Sequence, residues 1–211
     1  MDGLRTRAAR LAAAARALHA ASGAAAPFSL AFLTDRRRIA NPEPILRALP
    51  AGAAVIFRDY DAPRRESLAR RYLSICRGRG VFFLVAGDAA LAARLGADGV
   101  HWPAFGKGVA AAPFATAGNR LIATASCHDG AALSAAAAQG ASLALLSPVF
   151  PTQSHRGAAS LGIARFKALA GASPIPVLAL GGVDETVAPP LAGPNVAGIA
   201  AISAFLPRQR P

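Results

Sequence analysis

The residues of this sequence that are equipped for chemistry gather at the C-terminal ends of short apolar runs: Asp35, Arg58, Asp88, His101, Ser126 with His128, Thr152 with Ser154 and His155, Gly182, and Ser203. Three of these groups point to a small anionic ligand. In "SPVFPTQSHRG" (147–157) a buried-looking run ends in several hydroxyls and two potential cations, all within reach of one anion. In "ALGGV", Gly181 and Gly182 let backbone N–H groups approach an anion because no Cβ intervenes, and a following helix start would add its dipole. A lone glycine pair is more often a plain turn. The next run, "AAISAF" with Ile202 and Ser203, supplies a second such loop and tips the reading toward anion binding. His128 suits proton transfer, and reads equally as a half-buried histidine beside a helix start. Arg58 is expensive to bury unpaired, so Asp59, Asp61 or a ligand anion must balance it. His101, next to Trp102 and Pro103, reads as packed. Cys127 alternates away from Ser126 and His128 and reads as a small buried hydrophobe.

Eight apolar segments carry these residues: "FSLAFLTD" from Phe28, "AAVIFRD" from Ala53, "VFFLVAGD" from Val81, "GVHWP" from Gly99, "LIATASCH" from Leu121, "LALLSPV" from Leu143, "PVLALGG" from Pro176 and "GIAAISAF" from Gly198. Most are continuous apolar runs, the pattern of parallel strands covered on both faces. Candidate helices lie between them at 63–77, 88–95, 129–139 and 159–170. This alternation predicts an α/β fold of βα units. An open doubly wound sheet would usually place its glycine-rich turn after the first strand, where this chain has "LTDRRR". Here the glycines follow the seventh, a position at which (β/α)8 barrels bind phosphate. The expected fold is one TIM-barrel domain spanning 1–211, with an N-terminal helix (1–22), a barrel (28–206) and an eighth helix that is missing or vestigial. Leu4, Ala8, Leu11, Ala15 and Leu18 fall on one face of the first helix, which is expected to pack and to cover that gap.

The chain has 211 residues, a formal net charge of +12 and 54% hydrophobic content. No block of basic residues interleaves with aromatics, so nucleic acid is not an expected partner. No apolar run approaches the length of a membrane span. Two distant cysteines, Cys76 and Cys127, suggest neither a metal pair nor a disulfide framework, and fit a cytoplasmic protein.

Taken as an ordered set, "GADGVH", "ASCH", "SPVFPTQSH…LG", "IPVLALGGV" and "GIAAISAF" resemble the thiamine phosphate synthase and TenI family of barrels over about residues 28–206. The resemblance implies that Thr152 and Ser154 lie in an anion loop whose lysine is replaced by His155. It implies that Gly181, Gly182, Ile202 and Ser203 hold the phosphate of a thiazole phosphate, and that Arg58 and Ser126 contact substrate. The synthases carry an Asn-Asp pair after the third strand and a further Asp in the loop after the fourth, and hold Mg2+ there. The aligned pair here is Ala86 and Gly87, and "WPAFGKG" has no acid. The leading expectation is therefore a TenI-like isomerase that needs no metal or other cofactor and moves a proton on a thiazole carboxylate phosphate through His128. The alternatives are a divergent synthase, a transferase with Mg2+, or a non-catalytic phosphate-ligand binder. Homo-oligomerisation is left open.

Overall fold

A computed structural model describes residues 2–103, 121–152 and 159–206. Eight strands form a closed barrel in sequence order: β1 (Leu30–Leu33), β2 (Ala54–Phe57), β3 (Phe82–Ala86), β4 (Gly99–Trp102), β5 (Ile122–Cys127), β6 (Leu143–Leu146), β7 (Val177–Leu180) and β8 (Val196–Ala201). Every neighbouring pair is parallel, and β1 closes the ring on β8 with Leu30 opposite Ile199 and Phe32 opposite Ala201. The apolar runs lack alternation because both faces are covered: all four residues of β1, β2 and β6 are buried. At the closing seam a Cβ on Gly198 (φ +146°) would fall onto the carbonyl oxygen of Ser29, so only glycine lets β8 come this close to the chain entering β1.

Six helices are described: α1 (Asp2–Ser22), α2 (Glu43–Ala48), α3 (Arg65–Arg77), α4 (Ala89–Leu95), α5 (Gly130–Ala138) and α6 (Gly162–Gly171). Asp88 and Asp129 cap α4 and α5 by accepting from the N–H groups of Leu91 and Ala132, each at 2.8 Å. The expected helices are present with boundaries shifted by at most three residues, and α2 is an addition. The β7–β8 crossover holds only a 3-10 turn at Pro189–Leu191, where two successive prolines oppose a longer helix. Beyond β8 the chain makes a second 3-10 turn, Ser203–Phe205, whose Phe205 ring packs edge-on against Phe32 at 5.2 Å.

α1 fills the space beside β8. Ala8, Leu11, Ala15 and Leu18 are buried as their spacing predicts, and the helix packs on β1, β8 and both 3-10 turns. Its buried face is largely alanine, which permits close approach to the barrel wall. Among the described residues no helix is long and apolar enough to cross a membrane.

Candidate functional site

Gly181 and Gly182 follow β7 with φ of +96° and +68°, a conformation that L side chains rarely adopt. Space forbids a side chain as well. A Cβ on Gly181 would lie 2.9 Å from Pro148 Cα, and one on Gly182 would lie 2.8 Å from Phe150 Cβ and 3.0 Å from the Pro151 oxygen. Both glycines thus seat the loop after β6 against the loop after β7. A side chain at 182 would strike the β6 loop and not point into the cleft, so Gly182→Asp would disturb packing before it repelled an anion. Gly182, Thr152, Ile202 and Ser203 line one cleft of about 660 Å3. Among the described residues, the backbone N–H groups of Gly182, Val183, Ile202 and Ser203 donate to no protein acceptor. The expected helix start after Gly182 is absent: Asp184 opens a turn by accepting from Thr186 N–H at 2.8 Å and Thr186 Oγ1 at 2.7 Å. Open main-chain donors, and not a helix dipole, make this cleft suited to an anion.

The floor of the mouth is histidine and hydroxyl. His101 is buried, with Nδ1 2.9 Å from Thr124 Oγ1 and Nε2 3.0 Å from Ser126 Oγ. Burial, helped by the nearby Arg58 cation, pushes its pKa down to about 3, so the ring is neutral at physiological pH. One ring nitrogen therefore donates and the other accepts, which fixes the Ser126 hydroxyl. His128 is exposed on the end of β5, and its Nδ1 donates to the Ser147 carbonyl at 2.7 Å. In the neutral ring this leaves the lone pair on Nε2, the form required of a general base. Cys127 is fully buried, and burial first, then Asp129, raises its thiol to about 12, so it carries no thiolate chemistry.

One strand removed from β8 in the ring, Arg58 follows β2 and lines a second pocket of about 410 Å3 with Arg36, Arg37 and Asp59. Neither candidate partner balances it. Asp61 lies 3.4 Å from Arg37, and Asp59 accepts from the Arg36 N–H at 3.1 Å. Burial raises the Asp59 carboxyl above its ordinary range, against the lowering effect of the Thr34 hydroxyl. Arg37 lines both pockets.

The positions after β3 do not fit a metal. Ala86 and Gly87 offer no side-chain ligand, and both oxygens of Asp88 are engaged. Oδ1 caps α4, while Oδ2 lies 3.2 Å from Arg65 Nη1, whose Nη2 donates to the Ala86 carbonyl at 2.7 Å. Arg65 also sits over the rings of Phe57 (5.4 Å) and Tyr60 (5.6 Å). Among the described residues no three His, Cys, Asp or Glu side chains are placed to hold a metal ion.

The structure thus brings Thr152, Gly181, Gly182, Ile202 and Ser203 together on one cleft, sets Ser126 and His128 at the end of β5 outside that lining, and places Arg58 on a second pocket that shares Arg37 with the first. Ser154 and His155 lie outside the described residues. Sequence reasoning missed three contributors. Arg7 and Arg38 line this cleft from elements distant in sequence, and His101 is a working hydrogen-bond partner of Ser126 as well as a packed residue. The apolar pattern around His101 signalled its burial; nothing local signalled its partner.

Comparison with known proteins identifies the family. The thiamine monophosphate synthase family matches residues 30–205. A thiamine-phosphate synthase of Thioalkalivibrio sulfidiphilus is 34% identical over 177 residues, covering 82% of each chain. Another, of Chlorobium luteolum, is 35% identical over 169 residues, covering 78% of this chain and 79% of its own. The solved thiamine phosphate pyrophosphorylase of Pyrococcus furiosus superposes with a TM-score of 0.67 at 25% identity, over 82% of this chain and 85% of that one. These relatives are named for the synthase reaction, which favours the transferase over the isomerase that the lost carboxylates led the sequence reading to prefer. By profile, by sequence and by fold, the chain belongs to the thiamine monophosphate synthase family.

Proposed function

We propose that the chain binds a thiazole phosphate in the β7–β8 cleft and joins its ring nitrogen to a pyrimidine methyl group carried as a diphosphate, releasing diphosphate. The observation that carries this reading is the pair of arginine-lined pockets meeting at Arg37, one with main-chain donors and one with the Arg58 guanidinium, neither of which has a partner among the described residues. A carbon–oxygen bond breaks and a carbon–nitrogen bond forms, so negative charge develops on the departing diphosphate. Arg58, with Arg36 and Arg37 beside it, supplies positive charge on that side to stabilise it. The main-chain cleft holds the acceptor still, which removes orientational entropy from the step. Ser126, fixed by neutral His101, orients the ring.

One observation favours a second reading. His128, with Nδ1–H anchored on Ser147 and the lone pair on Nε2, is built for proton transfer on a thiazole carboxylate phosphate without any diphosphate. The deciding experiment gives the protein thiazole phosphate with the pyrimidine diphosphate in one arm and thiazole carboxylate phosphate alone in the other. Thiamine phosphate formed at about 1 per second or faster supports transfer. Isomer exchange without coupling gives the second reading its place. Silence in both arms, with phosphate still bound, leaves a phosphate-ligand binder.

A further inference from the structure

The phosphate cleft has a wall that the barrel does not supply. Besides the loops after β6, β7 and β8, it is lined by Arg7 of α1, together with Arg37 and Arg38 from the loop after β1. The charges of this cleft are unequally committed. Arg38 Nε lies 3.0 Å from Asp35 Oδ2, and Arg37 Nη2 lies 3.4 Å from Asp61. Asp184, the acid on the rim, is bound to Thr186. Arg7 is half-buried and, among the described residues, has neither an ion pair nor a hydrogen-bonded side-chain partner. Taking a guanidinium partly out of water without an anion costs free energy unless something occupies the facing space. The placement is rigid, because Ala8 and Leu11, one residue and one turn further along, are fully buried against the barrel.

We infer that Arg7 is a ligand of the substrate's phosphate, supplied by the first helix, and that it sets the preference for phosphorylated over unphosphorylated thiazole. The inference rests on the cleft being the thiazole-phosphate site. A guanidinium offers a paired set of donors to a phosphate dianion. The main-chain N–H groups after β7 and β8 would then hold the phosphate from below while Arg7 closes it from the side. No bond is made or broken by this residue; it is a positioning and specificity group.

The test is calorimetric titration of the full chain with inorganic phosphate, with thiazole phosphate and with the unphosphorylated thiazole alcohol, for wild type, Arg7→Ala, Arg7→Lys and Arg10→Ala. Arg10 is exposed on the same helix and does not line the cleft. Loss of a charge-assisted contact predicts that Arg7→Ala weakens both phosphate ligands about 10-fold or more. Lysine should restore part of the loss, the alcohol should be unaffected, and Arg10→Ala should match wild type. A melting temperature within a few degrees of wild type keeps the comparison on binding. Equal phosphate affinity in wild type and Arg7→Ala overturns the assignment, as do equal losses in Arg7→Ala and Arg10→Ala, which would make it a field effect. A wild type that takes up no phosphate overturns it too. If affinity depends on Arg7 while no thiamine phosphate forms, the assignment stands and the proposed reaction falls.

Discussion

On the β7–β8 side of the mouth the base of the cleft is main chain: two glycines with positive φ, N–H groups with no acceptor among the described residues and the packed loop after β6, with Arg7, Arg37 and Arg38 on the wall. On the β2–β3 side the space is governed by side-chain charge: Asp59 accepts from the Arg36 N–H, Arg65 pairs with Asp88, and the Arg58 guanidinium has no ion pair among the described residues. A cleft of backbone tolerates no added Cβ, and is indifferent to which small polar residues surround it. A pocket of side chains changes chemistry with one substitution while the barrel beneath stays intact. The same contrast separates Gly181 and Gly182, fixed by backbone geometry, from Ala86 and Gly87, which offer no side-chain ligand.

The largest effect should come from attacking the backbone side. Gly182→Ala places a methyl 2.8 Å from Phe150 Cβ in a positive-φ conformation, and is expected to destabilise the fold by about 2–3 kcal/mol. Phosphate binding should drop by two orders of magnitude or vanish, measured by denaturant melts alongside titration. Unchanged stability and binding would break the contrast.

Acid should act through the floor between the two sides. His101 is held neutral in the folded chain down to about pH 3, whereas the unfolded chain protonates it near the ordinary histidine value of 6.5. The unfolded state therefore binds the extra proton between those values. This contribution to stability is complete above about pH 6.5 and is lost as pH falls toward 3, at up to about 1.4 kcal/mol per pH unit. Asp59, whose carboxyl is raised, runs the other way and offsets part of the slope. His101→Gln should flatten the acid limb of a stability–pH curve; an unaltered limb would remove His101 from this role.

On the charged side, Arg58→Ala should weaken inorganic diphosphate binding about 10- to 100-fold while leaving monophosphate affinity within a factor of two. Equal losses for both ligands would mean that the two pockets act as one. The smallest effect is expected of Asp88→Asn. It keeps the helix cap and removes only the part-exposed pair with Arg65, at a cost of about 0.5–1 kcal/mol in a thermal melt. A change in divalent-metal dependence of turnover in this variant would show Asp88 to be a ligand after all.

These differences also set what could be read before the fold was known. The strands were legible because Leu30–Leu33 or Leu143–Leu146 can be uniformly apolar only when covered on both faces. Gly181 and Gly182 were legible because backbone sites leave glycines behind. The His101–Ser126 bond and Arg7 were not, since each depends on register or packing between segments far apart in sequence. The helix expected after Gly182 failed for a local reason: Asp184 and Thr186 close a turn, and Pro189 and Pro190 permit little beyond it.

The packing of α1 against β8 has a bearing on how the chain comes off the ribosome. The helix is made early and the strand it covers is made late, so its apolar stripe waits in water through most of synthesis. A stripe of leucines would invite capture by other nascent chains during that interval. The stripe here alternates leucine with alanine, at Ala8, Leu11, Ala15 and Leu18, and so presents a smaller sticky surface while alone. Because one wall of the cleft comes from this helix and another from the turn after β8, no partly made chain holds a complete cleft. Assembly of the cleft is thereby coupled to completion of the ring.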